Sequence, residues 1–314
     1  MKYAFVFPGQ GSQFVGMGKN LAENFASARE VFEEVDDALN QHLFKLMTEG
    51  PETELMLTAN TQPALMANSM AVIKVLEKEF AIDLSQKVAF VAGHSLGEYS
   101  AACAAGVFSV SQAAKLLRLR GEAMQKAVPF GIGGMVAVIG LKFEDALALA
   151  EDASTKDAYC VPANDNSEGQ VVLSGHKKAL ERVFEIAPEF GAKKVVELAV
   201  SAPFHSPLML PAEKVMQEAL AQIKAHEPKI KLVSNVTAEV AKTAEEVVRN
   251  LVAQVTKTVR WRETMSFLHL NAVTDVAEIG AGRVLTGLMK RSYKDINTFS
   301  VNSLAEIEEL ADNL

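Results

Sequence analysis

Cysteine is scarce: Cys103 and Cys160 are the only two in 314 residues. They stand far apart, with no CxxC pair and no Cys/His spacing that would hold zinc, so both are expected to be reduced, packed thiols. A disulfide framework is therefore excluded as the source of stability. Basic charge is also in short supply. The 31 Lys and Arg stand against 39 Asp and Glu, a formal net charge of −8. That balance argues against a nucleic-acid binder, which needs a basic face for phosphates. No apolar run approaches the roughly 20 residues of a membrane span. The opening MKYAFVF is too short for a signal-peptide core and is ended by Pro8-Gly9, so a cytoplasmic location is expected. There is no internal repeat and no low-complexity tract.

What remains is an ordinary globular balance, 49% apolar and 22% charged. A chain of this length suits one large domain, or a large domain with a smaller companion, and its core needs no covalent staple. Residues 3–7 predict a buried strand ended by Pro8-Gly9-Gln10-Gly11. Helical pattern dominates from 17 to 80, with a helix start predicted at Asn60-Thr61-Gln62-Pro63, where polar cap candidates precede a first-turn proline. Residues 88–92 predict a second buried strand, followed by helices over 98–105 and 111–127.

From about 130 to 200 the rhythm changes. Strands are predicted at 135–141, 158–163, 171–174 and 194–200, with helices at 144–153 and 178–190. The resulting β-α-β-β-α-β order is ferredoxin-like, and Gly131, Gly133 and Gly134 mark a flexible lead-in. Beyond Pro211 come a helix to about 225, a strand at 230–234, a helix at 244–254 and a strand at 273–278. Helices alternating with short apolar strands predict a parallel sheet. The expected fold is α/β: a large parallel-sheet domain over 1–130 and 200–314, with a smaller ferredoxin-like α+β subdomain inserted at 131–199.

Gly93-His94-Ser95-Leu96-Gly97 fits G-x-S-x-G between a buried strand and a helix. Such a turn holds the serine in a strained conformation with its hydroxyl presented at the sheet edge, which makes the large domain α/β-hydrolase-like. The backbone N–H of Leu96 and the helix N-terminus then face the oxygen of a tetrahedral intermediate. A chance match in a turn is the plain alternative, and the flanking strand and helix weigh against it. Serine needs a base, and six histidines are available. His94 adjoins Ser95, so its side chain should diverge. His42, His226 and His269 sit in mixed helical patterns that read as surface or packing. His205 lies in Ser201-Ala202-Pro203-Phe204-His205-Ser206-Pro207, a loop stiffened by prolines after a strand, which suits a residue that must be held in place.

Phe7-Pro8-Gly9-Gln10-Gly11-Ser12-Gln13, Gly93-His94-Ser95-Leu96-Gly97-Glu98-Tyr99, Arg118-Leu119-Arg120-Gly121, Ala202-Pro203-Phe204-His205-Ser206 and Val259-Arg260-Trp261 occur in that order. Together they resemble the malonyl-CoA:acyl carrier protein transacylases of bacterial fatty acid synthesis, over nearly the whole chain. Acyltransferase domains of polyketide synthases share the pattern. The resemblance implies Ser95 as nucleophile, His205 as general base, and the backbone N–H groups of Gln10 and Leu96 as an oxyanion hole. It implies Arg120 as the ligand of the malonyl carboxylate. It also implies Gln254, seven residues before Trp261, as the residue whose backbone carbonyl orients the histidine, so that the site is a dyad without a carboxylate. The implied substrates are malonyl-CoA and holo acyl carrier protein, used in ping-pong order through a malonyl-serine, with no tightly bound cofactor or metal. A monomer is expected.

A planar guanidinium can grip a carboxylate with two parallel bonds, which suits Arg120 to malonyl over acetyl; a helix-surface arginine is the alternative. Phe204, beside the base, would narrow the pocket near the malonyl methylene, with core packing as its alternative. An acidic carrier would need a local basic patch on this acidic protein, for which Lys177-Lys178 and Lys193-Lys194 are candidates. The chain departs from the family at Thr258 and Ala281, where proline is common, and at Asn166-Ser167-Glu168-Gly169-Gln170. Two other functions compete. One is a serine hydrolase or thioesterase with Asp165 or Asp275 behind the histidine; the other is a catalytically silent carrier-binding protein.

Overall fold

Alternating apolar segments and helices resolve into two sheets in the computed structural model, which describes residues 1–200 and 202–314. Ser201, at the start of the predicted His205 loop, lies outside the described residues. In chain order the strands are β1 (Tyr3–Phe7), β2 (Val88–Gly93), β3 (Gly133–Ile139), β4 (Cys160–Ser167), β5 (Gln170–His176), β6 (Lys194–Glu197), β7 (Lys231–Val233), β8 (Val240–Ala241), β9 (Asp275–Ile279) and β10 (Asn297–Val301). A six-stranded sheet runs β10-β9-β1-β2-β7-β8 and a four-stranded sheet runs β4-β5-β3-β6.

The larger sheet is parallel except at its β7/β8 edge. Its central strand β1 is buried at every position, as expected where helices cover both faces. Tyr3, Phe5 and Phe7 enter one core, and Ala4 and Val6 enter the other beside Trp261 and Met265. The smaller sheet is antiparallel, and its strand order is that of the predicted ferredoxin-like unit. Val136 and Val138 of β3 face its two helices, Phe143–Ala153 and Lys177–Ile186. Met135 turns the other way, into the core of the large sheet.

The two sheets are tied together. The Val259 N–H donates to Ala163 O at 2.8 Å, and the Asp165 N–H donates to Val259 O at 2.9 Å. Asp165, nearly fully buried, also holds Arg262 at 2.9 Å.

Some boundaries differ from the sequence reading. The helix predicted to open at 60–63 is Thr58–Lys78, with Pro63 inside it. Asn60 Nδ2 donates to Glu54 O at 2.9 Å and Thr61 Oγ1 to Leu55 O at 2.6 Å. These side chains satisfy the open carbonyls of the preceding short helix instead of capping their own. The helix after Pro211 starts at Leu210 and stops at Ala221. The last predicted strand of the small unit closes at Glu197. β10 and the helix Leu304–Asn313 were not predicted; the edge strand Asn297–Val301 is buried only at Val301.

Candidate active site

Phe7 and Gly93 are register partners, so β1 and β2 end side by side. Their carboxyl ends deliver the Pro8–Gln10 loop and the Ser95 turn to one place. Ser95 has φ +55°, in the left-handed region. A Cβ on Gly93 would lie 1.9 Å from Gly97 C, and one on Gly97 would lie 2.3 Å from Phe7 O. Both glycines are required because the chain reverses against itself and against β1. The strain at Ser95 is braced by Asn235, just beyond β7. Its Oδ1 accepts from the Ser95 N–H at 2.8 Å, and its Nδ2 donates to Gly93 O at 2.7 Å.

His205 is 3% exposed. Its Nε2 lies 2.7 Å from Ser95 Oγ and its Nδ1 lies 2.7 Å from the backbone oxygen of Gln254. A carbonyl only accepts, so Nδ1 carries the proton and Nε2 is free to accept from the serine hydroxyl. Burial first, then the Arg120 charge, push the imidazole pKa down to about 3. The imidazole is therefore neutral throughout the neutral pH range.

Arg120 is 1% exposed and stands beside Ser95, with Nη2 donating to Ser95 Oγ at 3.2 Å. It also donates from Nη1 to Gln62 Oε1 and from Nη2 to Gln254 Oε1, both at 2.8 Å, and lies 5.7 Å over the Tyr99 ring. Both side-chain amides are neutral, and among the described residues no ion pair forms to this guanidinium. Its neighbour Gly121 lets two helices touch. A Cβ there would come within 2.6 Å of Ala59 Cα and 2.7 Å of Thr58 O. That close crossing of Val110–Lys126 on Thr58–Lys78 brings Arg120 within reach of Gln62.

A cavity of about 430 Å³ opens between the two sheets, and Gln10, Ser95, Leu96, Arg120, Phe204 and His205 all lie on its wall. Gln254 sits behind it, fully buried. Among the described residues, the backbone N–H groups of Gln10 and Leu96 donate to no protein acceptor. His94 bonds away from Ser95, with Nε2 2.8 Å from Asn166 Oδ1, yet its ring still reaches the cavity wall. Asp165 is taken by Arg262, and Asp275 by Thr274 and Asn297. Neither meets His205. Of the lysine pairs, Lys177-Lys178 follows His176, which pairs with Gly133 at the cavity end of β3. Lys194 pairs with Ile139 at the opposite end.

Gln62, Glu98 and Asn235 were not among the predicted site residues. Gln62 stood in a polar run read as a helix cap, Glu98 in a helix start, and Asn235 after a short strand. Glu98 lies within the motif Gly93–Tyr99 but was given no role there, and no local spacing marks Gln62 or Asn235.

A family model described as "Acyl transferase domain" matches residues 4–309. The malonyl CoA-acyl carrier protein transacylase of Bacillus subtilis (strain 168) is 42% identical over 308 residues, covering 98% of this chain and 95% of that protein. The protein of the same name from Haemophilus influenzae is 41% identical over 313 residues, covering 100% and 99%. The crystal structure of acyl-carrier-protein-S-malonyltransferase from Bartonella henselae matches with a TM-score of 0.97 at 51% identity, covering 100% of this chain and 99% of that one. A type II PKS acyl-carrier protein in complex with its malonyl-transacylase matches at 0.95 and 40% identity, covering 100% of both.

Proposed function

The chain belongs to the acyl transferase domain family, and on that premise we propose that it moves a malonyl group from coenzyme A to the phosphopantetheine thiol of acyl carrier protein, through an ester on Ser95, in support of fatty acid synthesis. The observation that carries the reading is Arg120. A buried cation, solvated by two amides and unpaired by any carboxylate, stands 3.2 Å from the nucleophilic oxygen. A malonyl group attached there carries its carboxylate two bonds beyond the reacting carbonyl, within reach of the guanidinium. An acetyl group would leave the cation buried and unpaired.

In the first half-reaction Ser95 Oγ attacks the thioester carbonyl while His205 Nε2 takes the hydroxyl proton. The N–H groups of Gln10 and Leu96 hold the resulting oxyanion; losing one such donor typically costs about 3 kcal/mol of barrier. Collapse expels the coenzyme A thiolate, which takes the proton from His205. The carrier thiol then repeats these steps in reverse, giving ping-pong kinetics. One thioester is exchanged for another, so the net free energy is small. The substrate also helps the base. The Arg120 charge is one of the causes that depress His205, and a malonyl carboxylate neutralises it.

Transfer is favoured over hydrolysis because the partner of His205 Nδ1 is a backbone carbonyl and not a carboxylate. Phe204, on the cavity wall, is assigned to narrowing the space beside the malonyl methylene. We take 131–199 as the smaller unit, and 1–130 with 200–314 as the larger. Two unpaired cysteines fit a reducing cytoplasm, and no described helix is long and apolar enough to cross a membrane. Lys177-Lys178 is the pair we assign to the acidic carrier.

The test supplies malonyl-CoA with and without phosphopantetheinylated carrier protein, and follows the intact mass of the enzyme. A malonyl adduct that is discharged by the carrier is expected. Free malonate released as fast as malonyl-carrier would favour a hydrolase, and no adduct would favour a silent carrier-binding protein.

A further inference from the structure

Glu98 has no exposed surface and does not line the cavity. Its Oε2 accepts from Gln254 Nε2 at 2.7 Å, and its Oε1 accepts from the Asn235 N–H at 3.2 Å. No cation pairs with it among the described residues. A buried, unpaired carboxylate is costly, so its position calls for a physical reason.

The surroundings of the Gln254 amide supply one. Its Nε2 faces acceptors only: Glu98 Oε2, Ser95 O at 2.8 Å and Asn235 Oδ1 at 3.2 Å. Its Oε1 faces the Arg120 donor at 2.8 Å. Exchanging oxygen and nitrogen would set Oε1 against these acceptors and the NH₂ group against a guanidinium, unfavourable on both sides. Glu98 is the one acceptor in the set with a carboxylate, and a bond to an ionised acceptor is the strongest of the three.

We propose that Glu98 is a positioning residue for malonyl selection: it locks the Gln254 side-chain amide with its oxygen toward Arg120, holding the guanidinium where the substrate carboxylate must land. This rests on the reading of Ser95 and Arg120 given above. Glu98 touches no reacting atom and acts through Gln254.

The experiment compares wild type, Glu98→Gln, Gln254→Met and the double variant. Gln254→Met removes the amide and keeps the backbone carbonyl that holds His205. Rates of Ser95 acylation from malonyl-CoA and from acetyl-CoA are read by rapid quench and intact mass at about pH 8, above the value near 7 to which burial raises Glu98. Loss of one bond to a charged group predicts a fall of roughly tenfold in the malonyl-to-acetyl rate ratio for Glu98→Gln. Adding Glu98→Gln to Gln254→Met should lower the ratio no further than Gln254→Met alone does. Equal loss for both donors, as from general loosening, overturns the proposal, and so does a double variant that multiplies the two single effects. Should Glu98→Gln fail to fold, Gln254→Met alone must still lower the ratio, and an unchanged ratio overturns the proposal. Absence of any malonyl adduct in wild type would instead bring down the underlying reading of Ser95.

Discussion

Gln254 accepts a hydrogen bond from His205 Nδ1 on its backbone oxygen, at 2.7 Å. It is the last residue of the helix Ala244–Gln254, where a carbonyl has no intrahelical partner and is free to accept. The side chain of the same residue accepts from Arg120. The imidazole and the cation beside it are thus set by one position.

Arg120 should discriminate between donors. Arg120→Ala is expected to reduce malonyl transfer by two or more orders of magnitude, as for loss of a buried charge-assisted pair of about 3 kcal/mol. Acetyl transfer should fall far less, because acetyl never used the cation and His205 loses a depressing charge. Steady-state kcat/KM for the two donors is the check, and equal losses would remove Arg120 from substrate selection.

Ser95, the proposed nucleophile, also holds a strained backbone. Ser95→Ala should leave less than about a hundredth of wild-type transfer and no adduct. Ser95→Gly should be equally inactive yet more stable than Ser95→Ala by about 1 kcal/mol, since glycine adopts the left-handed φ of +55° without penalty. Urea unfolding of the two variants reads the difference, and a more stable alanine variant would contradict the strain.

Gly121 acts at the helix crossing. A methyl group there has no room against Ala59 Cα and Thr58 O. Gly121→Ala should cost about 1–3 kcal/mol by forcing the helices apart. It should also raise KM for malonyl-CoA, because Arg120 is drawn from Gln62. Thermal unfolding and kinetics with the malonyl donor test both, and an unaffected variant would show that the crossing can relax.

His205 should not titrate in the ordinary histidine range. Its pKa in the folded protein, about 3, lies below the ordinary 6.5. Its share of stability is therefore complete above about pH 6.5 and drains as pH falls toward 3. Glu98 runs the other way: raised from 4.5 to about 7, it contributes fully below 4.5 and loses that contribution as pH rises through 7. The two trends oppose between 4.5 and 6.5. Ring-labelled NMR should find the His205 resonance flat from about pH 8 to about pH 5. An inflection near 6.5 would refute the buried neutral imidazole.

Several features were legible before any tertiary contact was known. The β1 strand is a five-residue apolar run stopped by proline and glycine, and its pattern needs no partner to be read. The Ser95 turn was legible because the two glycines its geometry demands stand at fixed offsets. The small sheet was legible as an order of elements, although its strand ends shifted. By contrast, Asn60 and Thr61 looked like helix caps and serve the helix before them. Asp165 looked available to a histidine and is spent on Arg262.

The amino-acid order by itself determined the elements, the strained Ser95 turn and the family motifs, since each depends on residues a few positions apart and on the steric limits of one stretch of backbone. Only the folded arrangement decided which polar groups surround the reacting atoms. The bonds from Gln254 to Glu98 and from Ser95 to Asn235 span 156 and 140 residues, and nothing along the chain distinguishes those amides from others that face water. Burial makes the distinction, because only where water is excluded must each donor find one particular acceptor.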